Sequence, residues 1–261
     1  MKISFLVTTH NEDSDLEILL DQLVEFVKMS EDEIVVLDDY SDNPKTLQLF
    51  EKYADNIKLV KHKLDVKGSG FGGHKQFGNE QCSGDFIFQI DSDEYFSDGL
   101  LENMKSLISE NPQVELFLVP RINIIRGMTE RNAMMFGWEI SKIDGIATED
   151  VFHDNDEEFE FLKKYKFAVS ESRISDNQVK LHYNYPICNW RSGDYQYRLY
   201  KNAPHIKWTR PLHELIEGAK VMTQIPREPN FALIHDKHMD RQIKQNQFYM
   251  SEFSKEMNVR K

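Results

Sequence analysis

The stretch "DFIFQIDSDEYF", residues 85–96, decides the fold because it joins an apolar run to a cluster of acids. Residues 86–90 are nearly all apolar, which is typical of a strand covered on both faces of a parallel sheet. Three carboxylates follow, at Asp91, Asp93 and Glu94. Such close carboxylates raise each other's pKa, and a hard divalent cation relieves the repulsion. The stretch therefore predicts a strand that ends at a metal-binding D-x-D, with an ordinary acidic turn as the alternative.

Strands and helices alternate around this stretch throughout the first half of the chain. Apolar runs predict strands at residues 3–8, 33–39, 57–60 and 114–120. A capping box at Ser14 and Glu17, followed by apolar residues at helical spacing, predicts a helix after the first strand. This alternation predicts an α/β fold with a mostly parallel central sheet flanked by helices. Ligands bind beyond the carboxyl ends of such strands, so residues 8–12, 38–42 and 91–94 should meet at one edge.

After residue 120 the pattern is less regular. The segments "VKLHYNYP" and "YQYRLYK" predict strands, and residues 235–257 predict a C-terminal helix. The helical positions are Met239, Ile243, Met250, Phe253 and Met257. Because no linker or repeat is present, we expect one domain over residues 1–261, with an elaborated second half from residue 121.

Composition narrows the class of protein. The formal net charge of −12 makes binding to nucleic acid or to an anionic membrane an improbable main function. The two cysteines, Cys82 and Cys188, imply neither a disulfide framework nor a Cys-rich zinc site. With no apolar run long enough to cross a bilayer, we expect a cytoplasmic protein, and a peripheral membrane contact stays open.

A glycine-rich stretch, "KGSGFGGHKQFGNEQ" at residues 67–81, formally matches G-x-G-x-x-G. The segment "KHKLDVK" separates these glycines from the preceding strand, too far for a dinucleotide-binding turn. Two strand–helix units also come before it, and a carboxylate cluster rather than one acid follows. We interpret it as a lead-in to a helix over residues 74–81. The glycines either permit a turn, which we favour, or let backbone pass close to a ligand.

Several segments together resemble the family 2 glycosyltransferases of the GT-A fold. They are "FLVTTHNE", then "VVLDDYSDN" with Tyr40 where glycine is usual, and "FGGHKQFGNEQCSGDFIFQIDSDEYF". Further on, "YRLYKNAPHIKWTRPLHELIEG" and "LIHDKHMDRQIKQNQFYMSEF" resemble a bacterial subgroup that adds single sugars to surface glycans and carries an R-L-F…H-E segment. The match is dense over residues 3–97, looser after residue 195, and weak over residues 98–194.

The resemblance implies a nucleotide-sugar donor, UDP-linked, bound by residues 1–120, and an acceptor bound by residues 121–261. The acceptor would be a glycan, a lipid-linked sugar or a protein. In the implied base pocket, His10 faces the uracil ring and Asp39 accepts the imide N–H. Arg198 contacts the diphosphate, and Trp208 stacks on a sugar or packs in the core. The implied donor-site residues are Thr8, Thr9, His10, Asn11, Glu12, Asp39, Lys75, Asn79, Asp91, Ser92, Arg198 and Trp208.

The resemblance also implies a metal ion, Mn²⁺ or Mg²⁺, and a general base. Asp93 would bind the metal directly, Asp91 would meet the ribose and the metal through water, and His235 is either a further ligand or structural. Inversion in a single displacement requires a base on the acceptor hydroxyl. Glu214 in "PLHELIEG" is our choice, with His213 orienting it or binding the donor sugar. Asp150 in "TEDV" is the rival base.

Two other functions compete with this interpretation. A nucleotidyltransferase of similar fold would carry a Gly-rich loop with Arg and Lys after the first strand, where this chain has "TTHNEDSD". A non-catalytic module that binds nucleotide or glycan would not need the complete set of candidate carboxylates. The acids at Asp39, Asp91, Asp93 and Glu214 argue against that alternative.

Overall fold

The computed structural model describes residues 1–253, which divide into two compact units. The first unit contains Met1–Pro120, Tyr195–Leu233 and residues 246–253. The second contains Arg121–Asp194 and Ile234–Gln245. The first change of unit falls at residues 120 and 121, where the sequence pattern also changes. That the chain folds as a single domain stays a prediction.

The helices are α1 (Ser14–Val27), α2 (Pro44–Lys52), α3 (Gly70–Asn79), α4 (Asp98–Glu110), α5 (Glu130–Phe136), α6 (Glu157–Lys164) and α7 (Met239–Glu252), with a 3₁₀ turn at Pro229–Phe231. The strands are β1 (Ile3–Thr9), β2 (Glu33–Asp38), β3 (Ile57–Lys61), β4 (Phe86–Asp91), β5 (Glu94–Phe96), β6 (Leu116–Arg126), β7 (Ile140–Ser141), β8 (Ala147–His153), β9 (Ala168–Ser175), β10 (Gln178–Asn184), β11 (Ile187–Cys188), β12 (Tyr195–Lys201), β13 (Lys207–Thr209), β14 (Leu215–Glu217), β15 (Met222–Gln224) and β16 (Leu233–His238).

The first unit is built on four parallel strands in the order β3–β2–β1–β4. β12 continues this sheet beside β4 and runs antiparallel to it. The first residues of β6 pair antiparallel with β12 and parallel with β15. The predicted α/β fold with a mostly parallel central sheet is therefore confirmed.

The central strands are apolar at consecutive positions because both faces of the sheet are covered. Phe5 and Val7 of β1 pack on one face with the buried leucines of α1 and with α4. Leu6, between them in sequence, points to the opposite face and packs with Trp208 and Ile216. Alternate side chains of a strand point to opposite faces, so two cores require an unbroken apolar run.

The carboxyl ends of the parallel strands lie together, as the sequence predicts. In the register of the sheet, Thr9 of β1 is opposite Asp38 of β2, and Thr8 is opposite Asp91 of β4. The polar segments after these three strands therefore lie at one edge. This is the edge at which open α/β sheets bind ligands.

Two helix starts differ from the prediction. The side chain of Asp13 accepts a hydrogen bond from the backbone N–H of Ser14, so Asp13 caps α1 and the capping box at Ser14 is wrong. α3 begins at Gly70, four residues before the predicted start at residue 74. In contrast, Asn43 caps α2 through its side chain, and Pro44 is the first helical residue.

The second unit contains a three-stranded antiparallel sheet in the order β8–β10–β9. Its buried aromatic residues include Phe152 from β8, Phe159 from α6 and Tyr183 from β10, and their rings are in contact. The strands predicted from "VKLHYNYP" and "YQYRLYK" correspond to β10 and β12.

The C-terminal helix begins later than predicted, at Met239 rather than residue 235. The preceding residues form β16, in which alternate side chains are buried, a strand period rather than a helical one. Met257 lies outside the described residues. Within residues 1–253, none of the helices combines the length and apolarity that crossing a membrane requires.

Candidate active site

The site at the strand ends of the first unit is organised around the Asp91 carboxylate. Thr8 Oγ1 donates a hydrogen bond of 2.8 Å to Asp91 Oδ1, and Gln89 Nε2 donates one of 2.9 Å to the same oxygen. Thr8 meets Asp91 because the two residues are register partners in adjacent strands. Gln89 meets Asp91 because residues two apart share a face of a strand. The sheet itself therefore sets the orientation of this acid.

Arg198 of β12 binds the other oxygen of Asp91. Its Nη2 lies 2.7 Å from Asp91 Oδ2 and 2.7 Å from Glu94 Oε1, and its Nη1 donates to Gln89 Oε1. The side chain is buried, and its Nε has no hydrogen-bond partner among the described residues. The expected contact between Arg198 and a diphosphate stays a prediction, and what the geometry shows is a guanidinium that holds two carboxylates.

These contacts decide the charge of Asp91. Burial alone would raise its pKa, but the positive charges of Arg198 and Lys75, together with the hydrogen bonds from Arg198 and Gln89, hold the pKa well below its usual value. Burial would likewise lower the pKa of Arg198, but the charges of Asp91 and Glu94 raise it above its usual value. Asp91 is therefore a fixed anion at neutral pH.

Lys75 of α3 connects Asp91 to the candidate base. Its Nζ donates a hydrogen bond of 2.6 Å to Glu214 Oε1 and lies 3.4 Å from Asp91 Oδ1. The same nitrogen lies 5.0 Å from the centroid of the Trp208 ring, a cation–π distance. Lys75 is only 5% exposed, so these contacts replace water around a buried ammonium. Lys75 thus brings Glu214 and Asp91, 123 positions apart in the numbering, into one cluster.

Glu214 is carried by the tight loop between β13 and β14, which pair as an antiparallel hairpin. Two residues of this loop, Arg210 and His213, have left-handed backbone angles, with φ of 67° and 53°. Such conformations are unfavourable for side-chain-bearing residues and are kept where the surroundings hold them. His213 is half-buried and directly precedes Glu214. The expected roles of both side chains in the reaction stay predictions.

The glycine-rich start of α3 supports this loop. The N–H groups in the first turn of a helix lack helical partners, and Ser69 does not cap α3 through its side chain. Instead, Phe71 N donates to Pro211 O at 2.9 Å and Gly72 N donates to Arg210 O at 3.2 Å. A Cβ at Gly72 would lie 2.2 Å from Arg210 O, so this approach requires glycine. Gly70 has a φ of +57°, so it serves a turn, while an approach of this backbone to a ligand stays a prediction.

Trp208 and Asn79 lie in a buried hydrogen-bond chain beneath Lys75. Trp208 Nε1 donates to the Tyr200 hydroxyl at 2.9 Å, and that hydroxyl donates to Asn79 Oδ1 at 2.7 Å. Trp208 is 6% exposed, and Lys75 lies over its ring. The position corresponds to the core-packing alternative for Trp208, and a contact with sugar stays a prediction.

Asp39 and His10 directly follow the ends of β2 and β1. Asp39 Oδ1 accepts a hydrogen bond of 2.9 Å from Leu64 N and lies 3.2 Å from Lys63 Nζ. His10 Nδ1 lies 2.8 Å from the carbonyl oxygen of Asp39 and 4.0 Å from Asp39 Oδ2. The His10 side chain is half exposed, as a ring that stacks on a ligand would be.

The remaining predicted donor-site residues shape the loops. Asn11, in the left-handed region, accepts hydrogen bonds on Oδ1 from the backbone N–H groups of Asp42 and Asn43, at 2.8 and 2.9 Å. It therefore ties the loop after β1 to the loop after β2. Nearby, the Glu12 carbonyl accepts a hydrogen bond of 2.6 Å from Thr46 Oγ1. In the loop after β4, Ser92 N donates a hydrogen bond of 3.0 Å to Thr8 O. Thr9 is buried, with no partner for Oγ1 among the described residues.

The structure places the predicted metal ligands in different environments. Asp93 is half-buried beside Asp91, whose two oxygens are already engaged. His235 lies in the second unit, where its Nδ1 is 2.9 Å from Asn123 Oδ1. Across residues 1–253, no group of three or more His, Cys, Asp or Glu side chains could hold a metal ion. A Mg²⁺ site of one protein carboxylate, water and substrate phosphates is chemically reasonable, and Asp93 fits that donor set.

Sequence reasoning missed Gln89 and Tyr200, and it did not predict that Glu94, one of the three carboxylates after β4, binds Arg198. Gln89 and Glu94, which bind Arg198, lie on either side of Asp91, and the two-residue period of β4 was a usable signal for Gln89. No sequence pattern indicated that Tyr200, two residues after Arg198, belongs to the site. Asp150, the rival base, lies in the second unit, where Oδ2 accepts a hydrogen bond of 2.9 Å from the Tyr183 hydroxyl.

A mostly parallel sheet with fixed carboxylates beyond its strand ends fits the GT-A class of transferases. Comparison with known families agrees, because the family model described as Glycosyl transferase family 2 matches residues 4–167. The chain belongs to glycosyl transferase family 2. The predicted family, the GT-A fold and the assignment to the glycosyltransferases are therefore confirmed.

Among individual proteins, the chain is similar to poly(ribitol-phosphate) beta-N-acetylglucosaminyltransferase TarS of Staphylococcus aureus, found in strains Mu50 and MW2. The two are 34% identical over 113 residues, which cover 42% of this chain and 19% of TarS. The matched region thus spans about a fifth of that relative.

A crystal structure of TarS residues 1–349 aligns with a TM-score of 0.50 and 18% identity, covering 90% of this chain and 60% of that one. This likeness supports the fold. TarS 1–349 has also been solved with UDP-GlcNAc, and that structure covers 48% of this chain and 35% of its own, at 29% identity and a TM-score of 0.39.

Proposed function

We propose that this chain transfers a sugar, with inversion, from a UDP-linked donor to a hydroxyl group of a glycan, lipid-linked or protein acceptor. The observation that carries the proposal is the Asp91–Lys75–Glu214 cluster. Asp91 is fixed at the end of β4, at the sheet edge where open α/β sheets bind nucleotides. Glu214 is the second carboxylate, and Lys75 contacts both acids. This arrangement offers a donor-binding acid and a separate candidate base, which one displacement reaction needs.

The donor is assigned from the base pocket and from the related protein. Asp39, held by Leu64 N and Lys63, has the acceptor chemistry for the imide N–H of uracil, and His10 offers a ring at the same strand end. The sequence match to TarS, an N-acetylglucosaminyltransferase by name, supports UDP-GlcNAc as the first donor to test.

A divalent cation, Mn²⁺ or Mg²⁺, would neutralise the charge that develops on the leaving diphosphate. We assign Asp93 to hold it and Asp91 to bind the ribose. Arg198 and Thr8 act on Asp91, because they keep its carboxylate ionised and fixed between two strands. His235 is a weaker candidate ligand, since Asn123 already lies within hydrogen-bond distance of its Nδ1.

Glu214 is assigned as the general base. In the proposed step its carboxylate takes the proton of the acceptor hydroxyl while that oxygen bonds to the anomeric carbon. The bond from the anomeric carbon to the diphosphate oxygen breaks, and the electron pair leaves with UDP. The left-handed backbone at His213 sets the direction in which the loop presents Glu214. Asp150 remains the rival for this role.

The metal assignment is tested by titrating UDP into the protein by calorimetry, with and without Mn²⁺. We expect tighter binding with the metal, and the Asp93→Ala variant should bind UDP equally well in both conditions. Absence of metal-enhanced UDP binding in the unmodified protein would contradict the proposed donor site. A metal effect that persists in Asp93→Ala would move the ligand to another residue.

The base assignment is tested by comparing Glu214→Gln with Asp150→Asn. Release of UDP from UDP-GlcNAc by slow hydrolysis gives a readout that does not require the acceptor. Glu214→Gln should lower this rate by about 100-fold or more, the scale of general base catalysis, while UDP still binds. Asp150→Asn should stay close to the unmodified rate. The reverse pattern would assign the base to Asp150.

A further inference from the structure

Lys75 is a buried cation with more than one anionic partner. Its ammonium is 2.6 Å from Glu214 Oε1 and 3.4 Å from Asp91 Oδ1, and the Trp208 ring lies 5.0 Å away on a third side. Of the two carboxylates, Asp91 is also held by Arg198, with which it shares a hydrogen bond of 2.7 Å. Within residues 1–253, the ion pair of Glu214 is the one with Lys75.

A donor bound at Asp91 would bring a further anion toward this ammonium. A diphosphate carries more negative charge than one carboxylate, and lysine is a compact charge on a flexible stem of four carbons. The diphosphate of the donor would therefore compete with Glu214 for the ammonium of Lys75. Since the side chain is 6% exposed, little water is present to screen that competition.

We propose that Lys75 is a donor-sensitive counterion that controls Glu214. Without donor, Lys75 holds the Glu214 carboxylate, and when the donor's diphosphate binds, Lys75 moves its ion pair to the phosphate oxygens. Glu214 is then released, beside a new negative charge that favours its turning toward the acceptor hydroxyl. This inference rests on the proposed function, because it takes the diphosphate site to lie next to Asp91.

The release of Glu214 links donor binding to the position of the base. While Lys75 Nζ lies 2.6 Å from Glu214 Oε1, this contact holds the carboxylate against the lysine. Glu214 would therefore be free to turn toward the acceptor hydroxyl only after the donor is in place. Lys75 acts here as a positioning residue for Glu214, in addition to any contact that it makes with the donor.

Trp208 gives a direct optical readout of this movement. The chain has three tryptophans, so replacing Trp138 and Trp190 by phenylalanine leaves Trp208 as the single indole. A cation over an indole face alters its emission, and Lys75 lies over this one. Titrating UDP with Mn²⁺ should change the Trp208 emission with the same midpoint as calorimetric binding. Lys75→Met should abolish the change, whereas Lys58→Met, an exposed lysine that bonds Gln81 O, should keep it.

A thermodynamic cycle tests the competition itself. Glu214→Gln removes the competing anion and keeps an oxygen that can accept from Lys75, so this variant is expected to fold. Because coupling between two partners is reciprocal, UDP should bind at least about fivefold more tightly to Glu214→Gln than to the unmodified protein. In a Lys75→Met background the same Glu214→Gln change should leave UDP affinity unaltered.

The outcomes separate this inference from the proposed function. If UDP binds with metal dependence, but neither Trp208 emission nor the Glu214→Gln affinity changes, the Lys75 inference is overturned and the proposed function stands. If the unmodified protein does not bind UDP, both fail together. Thermal unfolding of each variant checks that a lost response does not come from a lost fold.

Discussion

The start of α3 gives the sharpest test of how this site is held, through the substitution Gly72→Ala. An added Cβ would lie 2.2 Å from Arg210 O and 2.7 Å from Thr209 O, and both atoms belong to backbone. Backbone cannot rotate away as the end of a side chain can. Either α3 or the loop that carries Glu214 must therefore move by about 1 Å to reach an ordinary contact distance of about 3.4 Å.

Two opposing effects set the size of the stability change. Overpacking costs about 1–3 kcal/mol, and alanine in place of glycine in a helix returns about 1 kcal/mol. The net loss in the free energy of unfolding should therefore be about 0–2 kcal/mol. The effect on turnover should be larger, because a displacement of about 1 Å in a catalytic group can reduce the rate by about 100-fold.

The assay is UDP release from UDP-GlcNAc, measured beside thermal unfolding, with Gly68→Ala as the matched control. At Gly68 the nearest atom to an added Cβ is Asp65 Oδ2, the far end of a side chain that can rotate. We expect Gly68→Ala to stay within about twofold of the unmodified rate. If Gly72→Ala also keeps its rate, the close approach of α3 to the loop does not position Glu214, and our reasoning fails.

The remaining predictions concern buried groups. Burial and the neighbouring His62 lower the pKa of His74 to about 4. Below about pH 6.5, the unfolded chain binds a proton at His74 and the folded chain does not. The contribution of His74 to the free energy of unfolding is therefore complete above pH 6.5 and is lost as the pH falls toward 4. It amounts to about 3 kcal/mol, and denaturant unfolding of His74→Asn at both pH values should show a flatter pH dependence; an unchanged slope would contradict this. Arg198→Met should reduce the free energy of unfolding by about 3–5 kcal/mol, because it breaks a buried ion pair, and denaturant unfolding that shows less than 1 kcal/mol would refute it. Tyr200→Phe should cost about 1–3 kcal/mol, since its hydroxyl links two buried polar groups, and a thermal midpoint equal to that of the unmodified protein would argue otherwise.

The parallel sheet was predictable because its signals are local. Residues 3–8, 33–39 and 86–90 are apolar runs whose length and borders indicate buried strands, and the chain order of the elements limits their arrangement. The rule that strand ends meet at one edge then brings Thr8 and Asp91 together without further information. Local pattern and simple topology account for this half of the site.

The ion pairs were not predictable, because their partners are far apart in sequence. Lys75 and Glu214 are 139 residues apart, and Arg198 and Asp91 are 107 apart. No periodicity links such positions, so Arg198 suggested a phosphate ligand rather than a support for Asp91. The early start of α3 has a similar cause, since glycine is a poor helix former and the stabilising carbonyls come from residues 210 and 211.

The left-handed residues in the loop before Glu214 have a consequence for engineering. At Arg210 and His213 a glycine would remove a conformational penalty of about 1–2 kcal/mol each, so stability-guided design would select these positions early. The same substitutions would free the hairpin to sample other shapes. A more heat-resistant variant obtained this way should therefore be a slower catalyst, and thermostabilising libraries are better directed at surfaces away from this hairpin.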